Sequence, residues 1–197
     1  MTPTALLDDT GALSSRTTAV HATHLTDADV AALGRTATFS CFCPTTERDL
    51  ADGIGPAPAL ASAGSALCLG SDQHAVIDLL EEARALEMHE RLVSHRRGTF
   101  QPNQLMDALT VVGHRSLGWA DAGRIEPGMR ADLVAVRLDT LRTAGSLPEQ
   151  VLLSAYAADV DTVVVDGEVV VRGARHSALD VAHELTTTID TLWSLVP

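Results

Sequence analysis

The sequence has 197 residues, of which 46% are hydrophobic and 20% are charged, which excludes a disordered chain and allows a buried core. The formal net charge is −12 and all 14 basic residues are arginine, so we expect no binding to nucleic acid or to an anionic membrane. No apolar run approaches the roughly 20 residues that cross a bilayer, and no secretory signal is expected. Cys41, Cys43 and Cys68 lack CxxC spacing, so we predict small buried thiols in a reducing, cytoplasmic environment.

In the first 120 residues, short β-branched or apolar segments alternate with helical patterns. We predict strands at residues 17–21, 37–43 and 66–69, helices at 26–34, 56–64 and 76–95, a polar loop at 45–55, and a further helix from Pro102 that ends by Gly118. This alternation is typical of parallel β/α units, so the predicted fold class is α/β. Three strands are too few for a closed barrel, which needs eight strands and ~250 residues.

From Gly123 onward the sequence is richer in turns. We predict strands at residues 131–138, 162–165 and 168–172, a helix at 148–157 and a terminal amphipathic helix at 177–195. Asp166-Gly167 is a strong signal for a two-residue β-hairpin. The only plausible domain junction lies near residues 119–123.

Polar side chains follow each of the three predicted parallel strands. His21 and His24 end the first strand, Glu47 follows the second, and Asp72 and His74 follow the third. Because parallel strands open their carboxyl ends on one face, these residues are expected to lie near each other. Imidazole can bind a metal or substrate, and a carboxylate can bind a metal and accept a proton from water, so His21 and Asp72 suit metal-assisted hydrolysis.

Simpler interpretations of the same residues stay open. Asp72 could only cap the helix that begins near Ile77, and His21 or His24 could be a hydrogen-bonded structural histidine. Thr45-Thr46-Glu47 could be an ordinary polar loop. One histidine and one aspartate are also too few for a catalytic zinc site, which normally takes three protein ligands.

The motifs at these strand ends resemble the second half of an amidohydrolase-superfamily deaminase barrel. The matching segments are residues 20–25 (VHATHL), 43–47 (CPTTE), 52–54 (DGI) and 70–74 (GSDQH). Residues 123–134 are similar to the segment where that superfamily leaves its barrel for a small β-sandwich, and residues 165–173 are similar to the closing hairpin. Within the superfamily, these motifs most resemble the formimidoylglutamate deiminases, which hydrolyse N-formimidoyl-L-glutamate to N-formyl-L-glutamate and ammonia in histidine degradation.

The resemblance implies an architecture and two residue roles. It implies strands six to eight of a (β/α)8 TIM-type barrel in residues 1–120, part of a β-sandwich in 121–175 and a C-terminal helix in 176–197. His21 would contact the substrate's imino group or the attacking water. Asp72 would be a zinc ligand that takes a proton from the water and passes it to the leaving ammonia. Thr46, Glu47 and His74 would lie beside the site without an assigned role.

A substrate with two carboxylates favours arginine near the site. Arg48, Arg96 and Arg97 are candidates, although each residue is more often a solvated surface charge.

The sequence also departs from the resembled family. The family's His-x-His metal pair lies on strand one, and a further metal histidine and a catalytic glutamate lie on strand five; no His-x-His occurs here. We therefore expect a C-terminal portion of the enzyme that cannot hold a catalytic zinc alone, with unpaired sheet edges that favour a partner. That partner would be a complementary N-terminal half or a second copy in a homodimer. The alternatives are another deaminase or chlorohydrolase of the superfamily, of the guanine or triazine type, or an inactive subunit.

Overall fold

The computed structural model describes residues 1–73 and 76–196, which form a mixed α/β structure with two separate sheets. The strands are β1 (Thr18–Val20), β2 (Phe39–Phe42), β3 (Leu67–Leu69), β4 (Leu133–Val136), β5 (Val160–Val165), β6 (Glu168–Arg172) and β7 (Arg175–His176). The α-helices are α1 (Pro3–Asp9), α2 (Asp27–Arg35), α3 (Pro44–Asp49), α4 (Ala57–Ala63), α5 (Leu79–Ser94), α6 (Pro102–Leu109), α7 (Val111–Ser116) and α8 (Val181–Trp193). Two 3-10 helices cover Pro148–Leu153 and Ala157–Asp159.

The first sheet is parallel, with the strand order β1-β2-β3. Val20 and Cys41 are register partners, and Cys41 and Cys68 are the next pair along the same line. The predicted parallel β/α organisation of this region is therefore confirmed. The carboxyl ends of all three strands open on one edge, which brings His21, Glu47 and Asp72 to the same side of the sheet.

Helices pack against this sheet and close the main hydrophobic core. The buried members of the core are Leu13, Ala32, Leu33, Phe42, Ala57, Leu60, Ala83, Leu86, Phe100, Leu105 and Leu152. Helix α2 begins with a capping box, in which Thr26 and Asp29 satisfy each other's backbone N–H groups. Helices α2 and α4 approach so closely that a Cβ on Gly34 would lie 2.2 Å from the carbonyl oxygen of Ala63.

Helix α5 is tied by polar contacts to the segment that leads into the second sheet. Asp78 caps the helix and also accepts a hydrogen bond from the Ala157 N–H at 2.9 Å. Arg84 donates to the carbonyl oxygens of Leu152 and Ala155 at 3.4 and 2.9 Å, and its guanidinium lies 4.0 Å from the Tyr156 ring centre. These contacts fix the 3-10 segment against the helices of the parallel sheet.

The second sheet is antiparallel, with the order β4-β5-β6-β7. Asp166 and Gly167 have φ values of +50° and +84° at the β5–β6 turn, so the predicted hairpin is confirmed. A second layer that would make a sandwich is not described in residues 1–73 and 76–196, and the predicted sandwich and domain bounds stay predictions. The terminal helix is found as α8, and none of its residues is buried.

Three local predictions were wrong. Residues 44–49 form helix α3 instead of part of a polar loop, because Pro44 occupies the first helical position, where its missing N–H costs nothing. The helix predicted at 148–157 is two short 3-10 turns, and the helix predicted from Pro102 divides at Thr110. In the parts of the chain that the structure describes, no helix has the length and apolarity that crossing a membrane requires.

Candidate active site

His21 directly follows β1, at the carboxyl edge of the parallel sheet. Its N–H donates to the Cys41 carbonyl oxygen at 2.7 Å, which extends the β1–β2 ladder by one bond. The backbone then turns sharply, because His21 and Ala22 have φ values of +68° and +47°. This left-handed conformation is uncommon for residues other than glycine. The His21 side chain is one-third exposed, at 33%.

Glu47 lies in the first turn of α3 and is almost fully buried, with 3% of its side chain exposed. Its Oε1 accepts the Cys43 N–H at 2.8 Å and lies 3.3 Å from Nδ1 of His21. Burial raises the pKa of Glu47, and the hydrogen bonds from Cys43 and His21 oppose that rise only in part. The polar loop predicted for residues 45–55 gave no indication of a buried carboxylate in contact with His21.

Asp72 follows β3, and its Oδ2 lies 3.7 Å from Nε2 of His21. It also has a left-handed backbone, with φ +48°, and its side chain is 42% exposed. The alternative in which Asp72 caps the next helix is wrong, because Asp78 is the residue whose side chain accepts from the first N–H groups of α5. Asp72 thus keeps its carboxylate for His21 and for solvent.

Thr46 links α3 to the loop that carries Asp72. Its hydroxyl donates to the Ser71 carbonyl oxygen at 3.2 Å and accepts from the Gln73 N–H at 3.4 Å. His74, the other residue named beside the site, lies outside the described residues. His24 lies near Gly53 and takes no part in the contacts that join His21, Glu47 and Asp72.

A second buried carboxylate, on α5, holds the first turn of α3 in place. Glu82 of α5 accepts the Thr45 N–H at 2.9 Å and the Thr45 hydroxyl at 2.5 Å. Burial also raises the pKa of Glu82, because its partners are neutral donors that offset desolvation incompletely. Arg48 lies on the exposed side of α3 and pairs with Glu81 at 3.8 Å.

The three cysteines near this edge are free thiols: Cys41 lies on β2, Cys43 directly follows β2, and Cys68 lies on β3. Cys43 and Cys68 are buried and Cys41 is partly buried, in broad agreement with the predicted small buried thiols. The hydrogen bond from the Cys41 thiol lowers the pKa of Cys68 to about 7, against the effect of burial. Cys41 contacts the Cys43 and Cys68 thiols, and these contacts raise the pKa of Cys41.

The site as described offers few metal ligands. Within residues 1–73 and 76–196, no group of three or more His, Cys, Asp or Glu side chains is arranged to hold a metal ion. Asp72 and His21 lie close enough to share one ion, but a catalytic zinc site takes three protein ligands. The described residues therefore do not fit a complete zinc site by themselves.

Glu47 is the site residue whose contact sequence reasoning missed. Two signals were present, namely a proline suited to the first helical position at residue 44 and an acidic residue within the turn that follows. Together they indicate a helix start in which the carboxylate can reach back to a free backbone N–H. They do not predict His21, which is 26 residues away, as the second partner.

Comparisons with known proteins show which proteins this chain is similar to. The chain is 33% identical over 184 residues to the 5-methylthioadenosine/S-adenosylhomocysteine deaminase of Desulforudis audaxviator, covering 90% of the chain and 43% of that relative. It is 34% identical over 186 residues to the formimidoylglutamate deiminase of Pseudomonas aeruginosa, covering 89% of the chain and 41% of that relative. The chain thus spans less than half the length of these curated relatives.

A solved structure gives the same picture. The crystal structure of an adenosine deaminase from Xanthomonas campestris with bound zinc superposes with a TM-score of 0.89 at 29% identity, over 95% of the chain and 44% of that protein. The family model described as "Amidohydrolase family" matches residues 1–170, which is most of the sequence. This chain belongs to the amidohydrolase family.

Proposed function

We propose that this chain contributes His21 and Asp72 to the active site of a hydrolytic deaminase that cleaves a C–N bond of a small molecule. The observation that carries the proposal is the 3.7 Å approach of His21 Nε2 and Asp72 Oδ2 at the carboxyl edge of the parallel sheet. Active sites of barrel enzymes lie at this edge. The curated relatives described above are deaminases by name, which supports the same class of reaction.

Within this class, we propose N-formimidoyl-L-glutamate as the substrate. Water adds to the imino carbon, the C–N bond breaks, and N-formyl-L-glutamate and ammonia leave. The strand-end motifs and the 34% identity to a formimidoylglutamate deiminase support this choice. The 33% identity to a 5-methylthioadenosine/S-adenosylhomocysteine deaminase supports a purine-type substrate to the same degree, so that substrate is the alternative.

In this reaction Asp72 accepts a proton from the attacking water and delivers it to the departing nitrogen. Its partial exposure suits this role, since a group that exchanges protons with water and substrate must reach both. His21 Nε2 contacts the attacking water or the imino nitrogen and holds it next to Asp72. Both residues follow strand ends, so the sheet fixes their separation.

Zinc enters the proposal through Asp72 alone. A bound zinc ion lowers the pKa of its water and so supplies a nucleophile near neutral pH. Asp72 would contribute one oxygen ligand to such an ion. Because the described residues offer fewer than three ligands, we propose that a complementary polypeptide supplies the others. A second copy of the chain is the alternative source. We also propose a cytoplasmic setting, which suits the free thiols.

The test is ammonia release from N-formimidoyl-L-glutamate and, separately, from 5-methylthioadenosine, with zinc added, by the chain with and without a candidate complementary polypeptide. We expect the Asp72→Asn variant to lose at least about 100-fold in kcat, the range for a lost acid–base group. The matched control Asp190→Asn makes the same change on exposed α8 and should keep full activity. Equal activity of the wild type and Asp72→Asn would contradict the assigned role of Asp72.

Zinc titration tests the second part of the proposal. We expect weak binding to the chain alone and tight binding only when the complementary polypeptide is present. Tight one-to-one binding to the chain alone would contradict the need for outside ligands.

A further inference from the structure

The two ring nitrogens of His21 have different surroundings. His21 has a carboxylate on each side, with Glu47 Oε1 3.3 Å from Nδ1 and Asp72 Oδ2 3.7 Å from Nε2. The two carboxylates differ in setting, because Glu47 is 3% exposed and Asp72 is 42% exposed. One ring nitrogen thus faces a closed environment and the other faces an open one.

Oε1 of Glu47 acts as an acceptor. It already accepts the Cys43 N–H at 2.8 Å, and a backbone amide can only donate. If the carboxyl group takes up a proton, the other oxygen is favoured, because a donor already points at Oε1. Nδ1 of His21 must therefore carry a hydrogen to make a favourable contact with the same oxygen.

Several contacts keep Glu47 from turning away. Helix α3 begins at Pro44 directly after β2, and Glu82 holds its first turn through the N–H and hydroxyl of Thr45. Thr46 of the same turn holds the loop of Asp72 through Ser71 and Gln73. One turn of helix thus fixes both partners of His21.

We propose that Glu47 is a positioning residue for His21, whose buried Oε1 keeps a proton on Nδ1 and so confines proton exchange to Nε2, the nitrogen that faces Asp72. A neutral His21 then presents a lone pair at Nε2, and a protonated His21 presents a donor there. The same nitrogen can accept a proton from the water or substrate and return it without a ring flip. Orientation of a histidine by a carboxylate on its other nitrogen is a general way to fix its tautomer.

This inference rests on the proposed role of His21, but the tautomer can be measured without turnover. The measurement is the long-range 1H–15N correlation spectrum of the 15N-histidine-labelled chain, with the His21 signals assigned by their loss in His21→Asn. We expect the neutral wild-type ring to carry its hydrogen on Nδ1. A wild-type ring that carries it on Nε2 would overturn the proposal whether or not the protein has deaminase activity.

Variants separate positioning from general stability. Glu47→Gln keeps an acceptor for the Cys43 N–H but removes the charge, so we expect a measurable rise in the Nε2–H form. The matched control is Glu87→Gln, which changes an equally buried glutamate that accepts from Arg91, Gly98 and Phe100 and has no described contact with α3. An equal tautomer shift in both variants would mean a loosened fold and would overturn the direct role of Glu47.

In the active assembly, we expect Glu47→Gln to lower kcat by about 10- to 100-fold with little change in KM, the range for losing a group that orients a histidine. A change in KM alone, with kcat unchanged, would contradict the role of Glu47 in positioning His21. Absence of turnover in the wild type would count against the proposed function, while the spectrum would still decide the tautomer.

Discussion

The two sheets of this protein gain their stability in different ways. Three of the four residues of β2 are buried, and the packed core lies between the parallel sheet and its helices. In contrast, every residue of β4 to β7 is exposed or only partly buried. Side-chain packing therefore dominates in the first region, whereas the second depends more on its backbone ladder, its turn and a few polar contacts.

Buried carboxylates at the candidate site differ from the one beside the antiparallel sheet. Glu47 and Glu82, at and next to α3, are bound by amides, a hydroxyl and an imidazole, and burial raises both pKa values. Asp159, beside the antiparallel sheet, accepts from the Arg142 guanidinium at 2.7 and 2.9 Å and from the Thr140 hydroxyl at 2.9 Å. The Arg142 hydrogen bonds hold the pKa of Asp159 well below its usual range. Glu47 and Glu82, next to the candidate site, are thus costly to ionise, whereas Asp159 is not.

The largest expected effect tests the packing of the parallel region. A methyl group on Gly34 would meet the Ala63 carbonyl oxygen at 2.2 Å, and backbone cannot move aside as a flexible side chain can. We expect Gly34→Ala to lower the free energy of unfolding by about 3 kcal/mol or more, at or above the upper range for overpacking. Denaturant unfolding followed by circular dichroism measures it. A change below about 1 kcal/mol would show that α2 and α4 can separate easily.

A smaller effect tests the opposite pKa shifts. The lowered pKa of Asp159 stabilises the fold above about pH 4, the unfolded value, and that stabilisation is lost as the pH falls below it. The raised pKa values of Glu47 and Glu82 act in the other direction, because the folded state holds their protons more tightly. Their contribution is most favourable below about pH 4.3 and declines as the pH rises towards the raised values.

Two variants separate these contributions when the free energy of unfolding is measured across a range of pH. We expect Asp159→Asn to lower the free energy of unfolding by about 1–3 kcal/mol at neutral pH and to weaken its fall at acid pH. We expect Glu82→Gln to leave the fall at acid pH unchanged and to weaken the decline of the free energy of unfolding at higher pH. If both variants changed the stability in the same pH range, the contrast between Asp159 and Glu82 would be wrong.

The smallest effect concerns the hairpin of the antiparallel sheet. Gly167 has φ +84°, and a Cβ there would meet nothing within 4 Å, so an added methyl group brings backbone strain without a clash. We expect Gly167→Ala to cost about 1–2 kcal/mol. Gly70→Ala is the counterpart at the parallel sheet, where a Cβ would contact the Cys43 and Cys41 sulfurs at 3.3 and 3.5 Å without a left-handed backbone. Thermal unfolding of both variants compares the cost of backbone strain at residue 167 with the cost of side-chain crowding at residue 70.

Local patterns predicted much of this structure. The alternating strands and helices, the helix that starts near residue 26 and the Asp166-Gly167 hairpin all depend on residues a few positions apart, and each was found. Helix α3 was missed because its polar residues look like a loop until their partners are known. Thr45 is satisfied by Glu82, which is 37 residues further along the chain.

The candidate site divides in the same way. The positions of His21 and Asp72 at strand ends followed from the parallel sheet, but the contact of His21 with Glu47 did not. That contact joins residues from different strand ends, so it depends on how the strands pair and on where α3 starts. Asp72 was a possible helix cap by residue type, but Asp78 takes this role, and only the path of the chain decides it.

The left-handed backbone at His21, Ala22 and Asp72 has a consequence for directed evolution. Each non-glycine residue in this conformation costs roughly 1–2 kcal/mol, so a glycine there relieves strain while it deletes a side chain. A library selected only for heat resistance would therefore enrich glycine at these positions and lose the side chains of His21 and Asp72, the residues of the proposed site. Screens of this protein need a test of the proposed activity alongside the thermal one, because selection for stability removes both side chains.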